Sequence, residues 1–531
     1  MPTDFSPQLL ARTSPAWFAY LASEGRWKPA PHLLLIAEKL VDIAAGRCKR
    51  LIIGLPPRHG KCLAEGTLVD LADGRRVPIE QIYPRDTVIS LDSCYNGISS
   101  YVLKTSTNGV KPVLRITLMS GRFVDCTENH PLLTVNRWRE AGTLKVGDSI
   151  AAHRRLPMPA GKSVPVGFAA LMGYITGDGS FGSGNPIITA SEPEVVTHLE
   201  QIAAEHGWVL RHGGRYAYHI RKPSRKGWGN GTSAQERLRE YMTPAKSVDK
   251  RVPQCIFESG HEDLCSFLAA YFNCDGTVND KREGAAEFYS TSEGLLRDVQ
   301  HLLMRLGIYS LLRIKRGRYK SAEHLSWRLT VSGQDMVAFA DAIPVIGERG
   351  RRLRETAEKS RNKRHFPEYE SIPPGWKQYM RKSGLFHRKV TGVRIDKPYS
   401  RGTAREIVQK IAEIEDNDAL RRLCSPDLIW ERIVKIEHIG DRPTYDLEIA
   451  DTHNFSVNGI VVHNSELVSR YFPAWYLGMF PRNRIILTSY EARYASSWGR
   501  KARELFREFA PEFFGVGLSE TATAAENWET A

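Results

Sequence analysis

Two nucleophiles bracket a long internal segment: Cys62 opens it, and Ser465, preceded by His463 and Asn464, follows its end. These are the residue types needed to cut a peptide out of a chain and rejoin its flanks. The flanks give a second sign. "LIIGLPPRHGKC" leads an apolar run into a basic Gly/Pro turn ending in Gly60-Lys61, as in a phosphate loop, but Cys62 stands where a Ser or Thr hydroxyl would ligate Mg2+. Deleting residues 62–464 joins "GLPPRHGK" to "SELVSRYFPAW", which restores the loop and opens it into a helix. With strands expected at 51–55 and in "RIILTSY", the joined chain reads βαβ. Arg58, Gly60, Lys61 and Ser465 are then its expected ATP- and Mg2+-binding residues.

The segment 62–464 resembles an intein, a self-splicing insert, through four ordered blocks. "CLAEGTLVDLADGRRVPIEQI" is similar to the first splicing block, and "GRFVDCTENHPLLTV" to the second, with its Thr-x-x-His as Thr127 and His130. "RPTYDLEIADTHNFSVNGIVVHNS" resembles the two C-terminal blocks, placing Asp446, His453, His463, Asn464 and Ser465 on the family's positions. The resemblance implies a sequence of steps. Cys62 attacks the Lys61 carbonyl to form a thioester, with His130 as proton donor and Thr127 holding the strained peptide. Ser465 takes the acyl group while Asp446 tunes the thiol and the transfer. Asn464 cyclises with help from His463 and His453, and the ester shifts to a Lys61–Ser465 amide. Splicing is expected to need no cofactor.

Short strands must position these groups. "TLVDLADGRRVPI" and "LRITLMSGRFVDC" each alternate around a Gly-containing turn, as hairpins do. This suits the all-β Hedgehog/intein (Hint) fold implied by the resemblance, in two pieces, 62–155 and 425–464.

Residues 156–424 are more than splicing needs. "LMGYITGDGSF" (171–181) and "LAAYFNCDGTV" (268–278) repeat one motif 97 residues apart: an apolar helical run with small residues, a carboxylate, then Gly179 or Gly276, expected to end the helix in a left-handed conformation. Asp178 and Asp275 therefore fall at helix C-termini, where the macrodipole disfavours an anion. If the helices pack side by side, the carboxylates repel and call for a cation, with Mg2+ the candidate. The repeat resembles the α+β LAGLIDADG homing endonucleases, with Asp178 and Asp275 as metal-binding catalytic acids and Lys250, 25 residues before Asp275, as a water-activating lysine. Thr176 and Asn273 replace the earlier acid of the motif. Strands from "LRHGGRYAYHIRK" and "LLRIKRGRYK" are the expected double-stranded DNA faces, with Arg313, Lys315 and then Arg318 or Lys320 on one side. A basic helical extension follows.

The composition agrees with a nucleic-acid partner. Net charge is +14, of which residues 1–61 carry +5 and 465–531 none, leaving +9 in the middle. "GERGRRLRETAEKSRNKRH" (347–365) alone has eight basic and three acidic residues. No membrane-spanning run, leader or CxxC pair is evident, which gives a multidomain cytoplasmic protein. The flanks 1–61 and 465–531 resemble pieces of the α/β P-loop ATPase domain of a phage terminase large subunit, which implies an infected or prophage-bearing bacterium and, for the spliced host, other terminase or portal subunits. Two alternatives stand beside this: a non-splicing DNA-binding packaging protein with 62–464 as a permanent accessory domain, and a splicing insert with an inactive nuclease.

Overall fold

The computed structural model describes residues 7–22, 31–48, 62–92, 94–135, 138–182, 184–223, 233–281, 284–319, 322–361, 425–450, 452, 454–463, 472–486, 492–523 and 528–530. The chain divides into Lys61–His463 and a second unit of Met1–Gly60 with Asn464–Ala531.

Within Lys61–His463, apolar residues alternating with polar ones form a large antiparallel sheet that mixes the two ends of the segment. Its frame is a pair of 22-residue strands, Gly97–Leu118 and Leu428–Ile449, with register shifts at four places. Bulges of this kind bend and twist a ribbon. Both expected hairpins form: Leu68–Asp70 pairs with Arg76–Pro78, and Phe123–Cys126 with Gly97–Leu118. Asn454–Val457 pairs with Leu68–Asp70 and with Ile460–His463, closing the fold over a core that includes Val69, Val124, Ile433, Leu447 and Phe455.

Between these pieces one unit occurs twice. Helix Phe168–Asp178 is followed by strands Gly179–Ser180 and Ile187–Thr189, helix Pro193–Glu205, strands Val209–His212 and Ala217–Arg221, and helix Ala234–Arg239. Helix His261–Asp275 is followed by Gly276–Asn279, Ala285–Ser290, helix Glu293–Arg305, Leu311–Tyr319, Ala322–Ser332 and helix Gln334–Ala342. Both four-stranded sheets have the same order, first, second, fourth, third. The two leading helices pack closely. A Cβ on Gly173 would lie 2.5 Å from the Phe267 carbonyl oxygen, and one on Gly177 would lie 2.3 Å from Cys274 Cβ. Gly173→Val is expected to push the helices apart and destabilise this region by about 1–3 kcal/mol, as overpacking does. A calorimetric scan that leaves its transition unmoved would contradict this packing.

Gly179 and Gly276 depart from expectation. Both are extended (φ −120°, ψ 169°; φ −86°, ψ 150°) rather than left-handed, because each starts a strand directly. Their N–H groups still cap Ile175 O and Phe272 O. Glycine is needed for space: a Cβ would lie 2.6 Å from Ile175 Cα and 2.3 Å from Phe272 O.

The second repeat is fixed to the large sheet through helix Glu293–Arg305. Gln300 Nε2 donates to Ser120 O at 3.0 Å, Arg297 to Gly121 O at 3.0 Å, and fully buried Arg305 to Gly74 O at 2.6 Å. Asp298 receives both Arg251 (2.6 and 2.7 Å) and Arg76 (3.5 Å).

In the other unit, residues from both ends of the chain share one core. Helices Pro7–Thr13 and Pro15–Ala22 pack with Phe472–Met479 and Ala492–Phe514 around Phe18, Trp475, Phe506 and Phe513, and Trp475 Nε1 donates to Ala11 O at 3.1 Å. The expected strand "RIILTSY" is absent over its described part: residues 484–486 are not in a strand, and Ile486 is 86% exposed. The expected partner strand, 51–55, lies outside the described residues, as do Arg58, Gly60, Lys61 and Ser465.

Candidate active sites

Residues 62–64 are threaded between two strands. Leu63 pairs with Cys126 on one side and Tyr445 on the other, and Ala64 pairs with Thr444. The antiparallel register therefore carries Cys62 to Thr127 and Asp446. Cys62 N donates to Thr127 Oγ1 at 3.1 Å, while Thr127 N and Oγ1 donate to Cys62 O at 3.0 and 3.3 Å. The Thr127 hydroxyl thus holds the nitrogen that follows the Lys61 carbonyl. His130 N donates to Thr127 O at 2.9 Å, closing a tight turn that accounts for the Thr-x-x-His spacing. Cys62, Thr127, His130 and Asp446 are all buried.

The other end of the segment arrives in the same sheet. Val462 pairs with Leu132, in the strand Pro131–Leu133 that directly follows His130, so strand Ile460–His463 ends close to it. His453, Asn464 and Ser465 lie outside the described residues.

Asp178 and Asp275 end the two paired helices. Burial raises the Asp178 carboxyl above its usual range, against the pull of Lys250 and Arg349. Burial and then the charge of Asp178 push Asp275 up to about 6. The Lys250 ammonium donates to carbonyl oxygens at the end of the first helix, Gly177 at 2.8 Å, Gly179 at 3.3 Å and Ile175 at 3.4 Å. Burial lowers its pKa, outweighing Asp275 and Asp178. Arg349 plays the same part at the second helix, donating to Gly276 O at 3.1 Å, Cys274 O at 3.4 Å and Asn273 O. A cation at each helix end opposes the macrodipole. Thr176 and Asn273 are buried.

Comparison with known proteins gives the family. Residues 69–464 match the intein splicing domain family, three quarters of the chain. The chain belongs to that family. The intein-containing chain is 30% identical over 445 residues to the replicative DNA helicase DnaB of Rhodothermus marinus, covering 77% of this chain and 46% of the relative. It is 26% identical over 446 residues to protein RecA of Mycobacterium tuberculosis, covering 76% and 56%. It thus spans about half the length of the curated relatives it matches. The solution structure of a bacterial intein-like domain from Clostridium thermocellum is 30% identical, covering 17% of this chain and 64% of that one, with a TM-score of 0.16.

Two residues of the intein escaped the sequence reading. Lys111 Nζ donates to Cys62 Sγ at 3.5 Å from the middle of a long strand, where nothing local marks it. Arg349 was legible in principle: it follows Asp275 by 74 residues, much as Lys250 follows Asp178 by 72. Its place inside a basic run disguised it. That run is engaged within the protein, with Arg349 on Glu192, Arg351 on Glu348 and Glu355, and Arg361 on Asp341. Residues 362–424 lie outside the described residues. No helix among the described residues is long and apolar enough to cross a membrane.

Proposed function

We propose that residues 62–464 excise themselves and join Lys61 to Ser465. The observation that carries this reading is the register that sets Cys62 between Thr127 and Asp446, with the Thr127 hydroxyl on the Cys62 N–H. The thiol attacks the Lys61 carbonyl, the C–N bond breaks, and the nitrogen leaves as an amine protonated from His130. Thr127 holds that nitrogen in place while it leaves. Ser465 then takes the acyl group, Asn464 cyclises with His463 and His453 assisting, and an acyl shift restores the amide. Asp446, opposite Cys62, assists the transfer. The differing names of the relatives, DnaB and RecA, also favour an insert whose kinship is independent of its host. Expression of the whole chain tests this by mass. A released 403-residue insert and a joined 128-residue product are expected; a persistent full-length chain would instead favour a permanent accessory domain.

The duplicated unit supports a second activity, that of a LAGLIDADG homing endonuclease. Asp178, exposed, and Asp275, partly buried, end the paired helices as two repelling carboxylates, a donor set that suits Mg2+, which is held by one or two carboxylates plus phosphate oxygens. Among the described residues no group of three or more His, Cys, Asp or Glu forms a metal cage. Bound Mg2+ would supply charge stabilisation on the scissile phosphate. Register puts Arg211, His219 and Arg221 on one face of the first sheet, and Arg313, Lys315 and Arg328 on the corresponding face of the second. Double-stranded DNA is the partner these faces suit, and the host copy without the insert is the target. The host itself is read as a terminase ATPase fragment whose phosphate loop, with ATP and Mg2+, is completed by joining Gly60-Lys61 to Ser465.

A further inference from the structure

We propose that Lys111 is a catalytic residue of the splicing reaction, carrying the negative charge that develops on Cys62 sulfur. This rests on the reading that residues 62–464 splice. Lysine head groups ordinarily reach water or a carboxylate. Lys111 is half-buried, its Nζ donates to the fully buried Cys62 Sγ at 3.5 Å, and among the described residues no carboxylate lies within ion-pair distance of it. The fold sets this contact. Lys111 pairs with Arg442 and Val110 with Pro443, beside the bulge that precedes Tyr445, and Tyr445 pairs with Leu63. The same two strands therefore fix both the thiol and the ammonium.

The ammonium acts where sulfur holds an electron pair without a proton. In the first step the thiol loses its proton as the S–C bond to the Lys61 carbonyl forms, and that proton is made up on the departing Cys62 nitrogen. In the transfer, Ser465 Oγ bonds to the same carbon, the C–S bond breaks, and its electron pair returns to Sγ. The proton lost by the serine hydroxyl ends on the thiol. Between these proton movements Lys111 offers a charge-assisted hydrogen bond to the fully buried sulfur. Continued by one residue, the register of Leu63 with Tyr445 brings Asp446 beside Cys62.

The test uses the full chain with both flanks, unsubstituted and as Lys111→Met and Lys111→Arg. Appearance of the 128-residue product is followed by mass. Lys111→Met is expected to slow joining roughly 10- to 100-fold, the weight of one charge-assisted bond in the transition state, and Lys111→Arg to recover most of the rate. A purely structural lysine would not distinguish these variants if their thermal unfolding coincides. Equal rates for Lys111→Met and the unsubstituted chain would overturn this inference alone. An unsubstituted chain that neither joins nor is cut at Lys61 by thiol would overturn the splicing reading and this inference with it.

Discussion

Asn464→Ala is expected to yield a chain that keeps residues 62–464 in place yet is cut after Lys61 by a strong thiol, while Cys62→Ala abolishes joining and the thiol cut together. Thioester formation precedes asparagine cyclisation, so loss of Asn464 stops the reaction after the Lys61 carbonyl has become reactive. Loss of Cys62 removes the nucleophile itself, and no neighbouring group replaces a covalent route. Joining should fall on the order of 10³-fold or more in both variants. The thiol cut separates them. Incubation with dithiothreitol followed by mass spectrometry should find residues 1–61 freed from Asn464→Ala and not from Cys62→Ala. Joined product from Asn464→Ala would remove Asn464 from the mechanism.

The splicing blocks and their hairpins were readable because their signals are local. A period of two in "TLVDLADGRRVPI" and "LRITLMSGRFVDC" needs only a turn to become the pairs of Leu68–Asp70 with Arg76–Pro78 and of Gly97–Leu118 with Phe123–Cys126. The repeated Gly-containing helices were readable because small residues at Gly173 and Ala270 state a close approach in plain sequence. Lys111 was not readable. Bulges between His438 and Asp441 and between Pro443 and Tyr445 change which residues face each other, and a one-residue slip reverses a side chain's face. Helix Glu293–Arg305 was also hidden. Its Asp298, Gln300, His301 and Arg305 look like a solvated face, yet all four are buried, because their partners come from distant segments such as residues 74–76 and 120. Polar burial of that kind depends on tertiary partners that no local pattern announces.

Asp275→Asn is expected to abolish Mg2+-dependent cutting of DNA encoding the uninterrupted PPRHGKS loop, to leave splicing untouched, and to make the protein more stable at neutral pH. The sign follows from the carboxyl's environment. Burial and the charge of Asp178 raise Asp275 from 3.8 to about 6, so the ionised form is penalised in the folded state. The penalty grows as pH rises from about 4 through 6, as the unfolded chain ionises ahead of the folded one, and is constant above that. A rise from 3.8 to about 6 corresponds to up to roughly 3 kcal/mol. Asparagine keeps the shape and removes the charge, so its stabilisation should be visible in denaturant melts at pH 7 and vanish near pH 4. On the proposed endonuclease reading, this cost in stability is offset in use by an ion and a phosphate that oppose the charge. Asp178→Asn is expected likewise to stop cutting, since on the proposed reading the two carboxylates hold one ion. Cutting by both variants at the unsubstituted rate would refute the metal assignment, and an unsubstituted protein that splices without cutting would make the nuclease a relic. If Asp275→Asn proved less stable at pH 7, burial and the charge of Asp178 would not outweigh the opposing cations Lys250 and Arg349 at the helix ends.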